Sequence, residues 1–404
     1  MEVTLIFDVI IIGSGPAGLS CATGLHGLNV LLLEKEKKIS SKLRLSGAGQ
    51  CNISHAGNVL EFKENYGRKW RFVRQALTGF SNDDLISMLN KRGLNFITRD
   101  DGKIFPSSLD AGDVIATLGN WLNELGIKIN TGEEVIDVYK EDIFTVTTNK
   151  QVYKAKNVVV ATGGITYPKT GSTGYATKLS KAFNLPFVPY RFALAPVYVK
   201  DHDMADLMGL SFESITIDHY RNKKLGTYKG DLLVTHFGFS GPLIINASRA
   251  MEKSDELYIN FIGLESGTFE KNLLGLLEKH PKKKIKSVLE GVPNRLIDHV
   301  INKFDLTETK CSDLKKDDRK KIVNFLTSYK VVIDQVGKSH IAMVSAGGID
   351  TSCLSKKTYE STIAGLYFIG ECVDVDGDTG GYNIQYAFSS GQLAARHIQE
   401  VLNE

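Results

Sequence analysis

The run Gly13-Ser14-Gly15-Pro16-Ala17-Gly18 constrains this chain more than any other stretch. It comes after an apolar segment, Phe7 to Ile12, that only Asp8 interrupts, and it opens a helical pattern through Leu19, Ala22 and Leu25. A second apolar segment, Asn29 to Leu33, ends at Glu34 with Lys35 next. The order is strand, turn, helix, strand, with G-x-G-x-x-G at the turn and an acid 21 positions after its first glycine. Each glycine has a physical task. Gly13 permits the tight turn, Gly15 lets a pyrophosphate approach the backbone, and Gly18 lets the helix pack on the strand. The helix start offers unpaired N–H groups and the positive end of a dipole to phosphate. Glu34 would accept hydrogen bonds from both hydroxyls of an unphosphorylated ribose. A bare glycine turn is the plain structural alternative; the second strand and its terminal acid in register favour a dinucleotide.

At 404 residues the chain is long enough for two or three domains, at ~150 residues each. Hydrophobic residues at 42% and charged residues at 24% describe an ordinary globular composition, neither fibrous nor disordered. The net charge of +3 is too small to imply nucleic acid or membrane by itself. Cys21, Cys51, Cys311, Cys353 and Cys372 form no C-x-x-C pair, which argues against zinc and thioredoxin-type chemistry. His26, His202, His219, His280, His299, His340 and His397 form no ligand-spaced cluster, so no metal is expected. No apolar run approaches the ~18 residues of a membrane span, and Met1-Glu2-Val3-Thr4 lacks the basic start of a signal peptide. The expectation is a cytoplasmic protein in a reducing compartment.

The middle of the chain continues the alternation. Asp83–Leu94 and Asp113–Leu125 carry helical periodicity, with Val114, Leu118, Leu122 and Leu125 on one face of the second. Glu134–Tyr139, Phe144–Thr148 and Gln151–Ala155 are short strands. Lys156–Val160 is a buried strand ending in Ala161-Thr162-Gly163-Gly164. From about Arg191 the texture becomes β-rich, as in Ser214–Tyr220, Leu232–Thr235 and Glu256–Ile262. Between Gly267 and Lys330 it is helical and lysine-rich, with 15 Lys and Arg against 9 Asp and Glu, a surplus of six. From Val331 strands and glycines return, ending in a helix over Gln385–Leu402. The expected organisation is a nucleotide-binding domain over 1–190, an inserted β-rich substrate domain over 191–266, a small basic helical lobe over 267–330, and a return to the first domain over 331–404. There is one G-x-G-x-x-G, so a nicotinamide cofactor would dock transiently or be absent.

Further runs join the first turn in a fixed order. They are Lys42-Leu43-Arg44-Leu45-Ser46-Gly47-Ala48-Gly49-Gln50-Cys51-Asn52, Ala161 to Gly164, Tyr167 to Gly174, Thr235 to Pro242, Gly370 to Gly377, and Gly380-Gly381-Tyr382-Asn383. Together they resemble the bacterial flavoprotein family that includes aminoacetone oxidase and the BaiN-type reductases. The resemblance covers nearly the whole chain and is thin between about 251 and 330. It implies non-covalent FAD in a glutathione-reductase-like Rossmann domain of α/β class, interrupted by a β-rich domain with a small helical lobe. The chain departs from the family pattern at Ser40-Ser41, where Gly-Arg is usual, at His55 in place of asparagine, at Tyr175, which succeeds Gly174 without Asp-Gly, and at Tyr386 in place of tryptophan.

Each motif has a candidate role. Lys42 and Arg44, with Ser46, Gly47 and Asn52 in the same loop, would neutralise the pyrophosphate or hold the flavin carbonyls; a solvated loop is the alternative. Cys51 would face the isoalloxazine as a proton donor, or be an ordinary buried cysteine. The resemblance places the backbone of Val135 beside the adenine, with a plain core valine as the alternative, and Glu371, after Gly370, beside the ribityl chain or a phosphate-bridging water. Ala161, Thr162, Gly163 and Gly164 end a strand at the edge where ligands of open α/β sheets collect. Gly380, Gly381, Tyr382, Asn383 and Ile384 begin the last helix, whose dipole would stabilise a reduced, anionic flavin. His236 would move a proton from the roof of the site, or serve as a hydrogen-bonded structural histidine.

The resulting expectation is an FAD-dependent oxidoreductase exchanging a hydride at flavin N5 with an organic substrate. Reduction of a conjugated C=C bond, of enone or uracil type, with NAD(P)H as transient donor is preferred, because the basic lobe suits a phosphate-rich partner such as ribosomal RNA. The same charge run is otherwise a solvated face. An aminoacetone-type amine oxidase using oxygen and a non-catalytic flavin- or RNA-binding module are the alternatives.

Overall fold

The computed structural model describes residues 6–289 and 291–403, and they divide into two compact units, Met1–Phe192 with Ser339–Glu404, and Ala193–Lys338. In the first unit, Ile6–Ile12 pairs in parallel with Val30–Glu34 on one side and Val152–Val160 on the other. Lys128–Thr131 adds in parallel beyond Val30–Glu34. Val9, Ile10 and Ile11 have no exposed surface, as expected of a parallel strand covered on both faces. The segments expected as two strands, Gln151–Ala155 and Lys156–Val160, form the single strand Val152–Val160. Its first half pairs antiparallel with Phe144–Thr148, whose other side takes Val135–Lys140. Its second half pairs in parallel with Leu366–Phe368. Residues near 155 therefore change partners without breaking the strand, which a local pattern does not reveal.

The register aligns Ile12 with Leu33 and with Val160, and Val160 with Phe368. Four parallel strands thus end along one edge of the sheet. Just beyond their ends lie the glycine turn, Glu34-Lys35, Ala161–Gly164 and Gly370-Glu371. Helix Pro16–Thr23 starts in the glycine turn, and the C-terminal helix Tyr382–Asn403 packs against it. Helix Ala111–Glu124 is started by the Asp110 carboxylate, which accepts from Gly112 N at 2.7 Å, and buries Val114, Ile115, Leu118 and Leu122.

The second unit contains a closed six-stranded barrel in the order Val197–Val199, Gly238–Ser240, Lys223–Thr235, Ser211–Arg221, Glu256–Asn260, Tyr329–Val336. Tyr329–Val336 closes it by pairing with both Glu256–Asn260 and Val197–Val199. The boundary expected at 331 therefore falls later, because this strand completes the barrel and the chain re-enters the first unit at Ser339. The expected small helical lobe contains Ser266–Lys279, Asn294–Lys303 and Lys316–Thr327. Their apolar faces (Leu273, Ile297, Val300, Ile322) share one core with Ile217, Ile259 and Ile333 of the barrel, so lobe and barrel are one folding unit. Among the described residues no helix is long and apolar enough to cross a membrane.

Candidate functional site

The sheet edge gathers groups that lie far apart in the chain. At the glycine turn, Gly13 has φ +102°, a left-handed value that favours glycine. A Cβ on Gly18 would sit 2.0 Å from Gly13 O, so the helix can approach the strand only without one. A Cβ at Gly15 would meet nothing within 4 Å, so the backbone there faces open space. The helix Pro16–Thr23 has no side-chain cap, which leaves its first N–H groups for an outside acceptor.

Glu34 is buried at the end of the second strand. Its Oε2 accepts from Ser14 N at 3.0 Å and Ser14 Oγ at 2.5 Å, and its Oε1 accepts from Glu36 N at 2.8 Å. A carboxylate takes about four donors, so one place remains where both ribose hydroxyls were expected. Ser14 has no exposed surface and acts through Glu34. Glu133 N donates to Glu34 O at 2.9 Å, which brings the segment leading into Val135 beside the acid. Lys35 Nζ donates to Thr173 Oγ1 at 2.8 Å.

Lys42 and Glu371 form the second centre. Lys42 Nζ donates to both Glu371 oxygens, at 2.9 and 2.6 Å, and to Thr166 Oγ1 at 2.6 Å. Glu371 Oε1 also accepts from Ser345 N at 2.8 Å, and Ser345 Oγ accepts from Ile165 N at 2.8 Å. The ammonium expected to meet phosphate or flavin is thus committed to a carboxylate from the other end of the chain. Thr166 and Ser345 complete this network and are invisible in the sequence, since lone hydroxyl residues carry no motif. Thr162 Oγ1, at the strand end four positions before Thr166, is buried without a hydrogen-bond partner.

At the start of the C-terminal helix, Gly381 has φ +96°, and a Cβ there would meet Ser54 O at 2.3 Å. Tyr382 stacks on His55, with ring centroids 4.9 Å apart. Asn383 donates to Gly377 O and Asp378 O at 2.9 and 3.2 Å, pinning the preceding loop. Ile384 is half-buried behind it. In the sequence His55 stands out only as a departure from the family pattern, and the fold gives it a stacking partner at this helix start.

Other expected contacts are different in the fold. Arg44 and Gly47 lie in the 3₁₀ turn Leu43–Gly49, where both are exposed, and Ser46 and Asn52 bond to backbone carbonyls of Leu43, Ser54 and Ile104. Cys51 follows the second of its two expected readings. It has no exposed surface, it packs in the core of the first unit, and burial pushes its thiol up to about 12, as an ordinary buried cysteine would show. His236 lies in the second unit, is exposed, and sets its ring edge-on to Phe237 at 4.8 Å. No group of three or more His, Cys, Asp and Glu residues with metal-holding geometry occurs among the described residues.

The arrangement fits FAD. Open space at Gly15, uncapped helix N–H groups, a buried acid at the second strand end and the unpartnered Thr162 hydroxyl are what an adenine dinucleotide would occupy. Fold and site together define an FAD-dependent oxidoreductase with a Rossmann-type domain and a barrel insert. The family model described as HI0933-like protein Rossmann domain matches residues 7–397, and the chain belongs to that family. It is 31% identical over 401 residues to a ribosomal RNA dihydrouridine synthase of Haemophilus influenzae, covering 96% of this chain and 98% of that one. It is 27% identical over 406 residues to a 3-dehydro-bile acid delta(4,6)-reductase of Clostridium scindens, with 96% and 98% covered. Among solved structures, a 3-ketosteroid delta1-dehydrogenase from Sterolibacterium denitrificans shares the fold with TM-score 0.50 at 13% identity, covering 98% of this chain and all of that one.

Proposed function

We propose that the enzyme reduces a conjugated C=C bond of uracil type, in ribosomal RNA, with NAD(P)H as transient electron donor in the cytoplasm. The observation that carries this reading is the likeness, over nearly the full length of each chain, to two proteins whose names both describe saturation of a ring double bond. The single glycine fingerprint agrees, because the nicotinamide then has no second Rossmann domain in which to reside. FAD, when bound, supplies the two-electron redox chemistry.

The chain's own residues bind and orient. The uncapped helix start at Pro16 and the open backbone at Gly15 take the pyrophosphate, Glu34 accepts from a ribose hydroxyl, and Val135 borders the adenine. The paired Lys42 and Glu371, locked by Thr166 and Ser345, hold the loop after the second strand against the segment after Leu366–Phe368. Gly380 to Ile384 bring the start of a long helix to the same edge, where its dipole favours negative charge.

An anaerobic absorbance titration tests this. NADH or NADPH should bleach the flavin of the purified protein, and aminoacetone should leave it yellow. Bleaching by aminoacetone alone would overturn the reading in favour of an amine oxidase.

A further inference from the structure

The surplus of six positive charges between Gly267 and Lys330 is not spread evenly over the helices. It sits on two segments that the fold lays side by side, 279–286 and 308–316. Ile285 N donates to Thr309 O at 3.0 Å, Cys311 N to Lys283 O at 2.9 Å, and Ser312 N to Pro281 O at 3.0 Å. Lys284 lies directly opposite Lys310 in an antiparallel bridge. These segments hold eight lysines, at 279, 282, 283, 284, 286, 310, 315 and 316, against two carboxylates, Glu308 and Asp313. All eight are exposed.

Lys284 is paired with Glu308 at 2.7 Å, and Lys286 is paired with Asp298. The other six make no ion pair among the described residues. Asp317 and Asp318 come next, in the first turn of the helix Lys316–Thr327, where Lys321 engages Asp318 at 2.8 Å. Like charges placed opposite one another across a strand pair destabilise it. Stability alone does not explain six unpaired lysines converging on a bridge that is lysine against lysine. A fold that bears such a local conflict commonly does so where it binds something.

We propose that these two segments form a docking surface for the phosphate backbone of a folded RNA. The proposal rests on the RNA reading of the substrate given above. Lysine is a flexible point charge that tracks phosphates without reading bases, so the surface supplies affinity rather than sequence selectivity.

The test uses full-length, FAD-loaded protein and a fluorescein-labelled transcript of a uridine-bearing ribosomal RNA hairpin, titrated by anisotropy between about 50 and 200 mM KCl. The variant Lys282→Gln/Lys283→Gln/Lys315→Gln/Lys316→Gln should bind at least tenfold more weakly. Its log K against log salt slope should be shallower by about 3, as expected for four lost phosphate contacts. The control Lys63→Gln/Lys181→Gln/Lys356→Gln/Lys357→Gln removes the same charge from exposed positions of the first unit and should retain wild-type affinity and slope. Equal losses in both variants, or no loss in the first, would overturn the surface. If wild-type protein ignores the hairpin yet reduces a small enone with NADH, the docking surface falls and the C=C reading stands. If the hairpin binds through the lysines but NADH leaves the flavin oxidised, the reductase reading falls and the surface stands.

Discussion

Lys42 reaches Glu371 across 329 positions of sequence and donates to both of its carboxylate oxygens. The pair joins the loop after the second strand to the segment after the last parallel strand, so the site closes only when both ends of the chain are in place. Side chains at 23% and 19% exposure keep part of their hydration, which moderates both the attraction and the cost of losing it. Lys42→Met should destabilise the protein by about 1–3 kcal/mol by leaving Glu371 uncompensated. Adding Glu371→Gln should recover part of that loss. Urea unfolding of both single variants and the double variant checks it, and strict additivity would show that the two groups do not couple.

Glu34 presents a buried carboxylate with one acceptor place open beside the glycine turn. A hydrogen bond to a charged group contributes about 1.5–3 kcal/mol. Glu34→Gln should therefore weaken FAD by roughly tenfold to a hundredfold and leave riboflavin, which lacks the adenosine ribose, unchanged. Fluorescence-quenching titrations of the apoprotein with each ligand measure both. An equal loss for riboflavin would place Glu34 in the fold rather than on the ribose.

Asp255, buried in the second unit, accepts from Arg221 Nε at 2.7 Å, His219 Nε2 at 2.7 Å and Glu252 N at 2.8 Å. Burial alone would raise its carboxyl, but the Arg221 and His219 donors outweigh burial and hold it below the usual carboxylate range. A depressed native value means stability that is present above the unfolded carboxyl range and lost as pH falls through the native one. Asp255→Asn should cost about 3 kcal/mol at neutral pH. The gap to wild type should begin to narrow below about pH 4, where the unfolded chain's carboxyl takes up a proton, and close as pH falls through the lower native value. Urea midpoints of both proteins across that range decide it.

Cys51 and Cys372 have no exposed surface, and burial pushes both thiols up to about 12. In the native protein they should resist iodoacetamide at about pH 8 and react once urea unfolds the chain, as mass spectrometry would record. The same shift gives stability a pH dependence. Above ~8.5 the unfolded chain releases thiol protons that the native state retains, so stability should fall as pH rises past that value. Alkylation of Cys51 in the native protein would return it to the list of proton donors.

Much of the nucleotide site is legible in the chain because its signals are local. The glycine turn, the apolar run before it and the acid after the second strand lie within about thirty residues, and steric demands on a tight turn act through neighbours. The strand Tyr329–Val336 straddles the boundary that texture alone suggests, because its partners lie some seventy and more than one hundred residues upstream. Cys51 illustrates the same limit. A cysteine in a glycine-rich motif reads equally as a proton donor or as a buried core residue, and only the packing of Ile53, Ile104 and their neighbours into the same core shows it enclosed.

By itself, then, the amino-acid order determined the βαβ turn, the position of the acid Glu34 at the second strand end and the surplus of lysines between Gly267 and Lys330, since each depends on residue types at short spacing. The tertiary structure decided that Lys42 answers Glu371, that Thr166 and Ser345 lock them, and that the lysines of two separate segments face one another across a bridge. Those relations depend on which strands become neighbours. That choice is governed by the summed burial of the whole sheet and barrel, a quantity no short window of sequence contains.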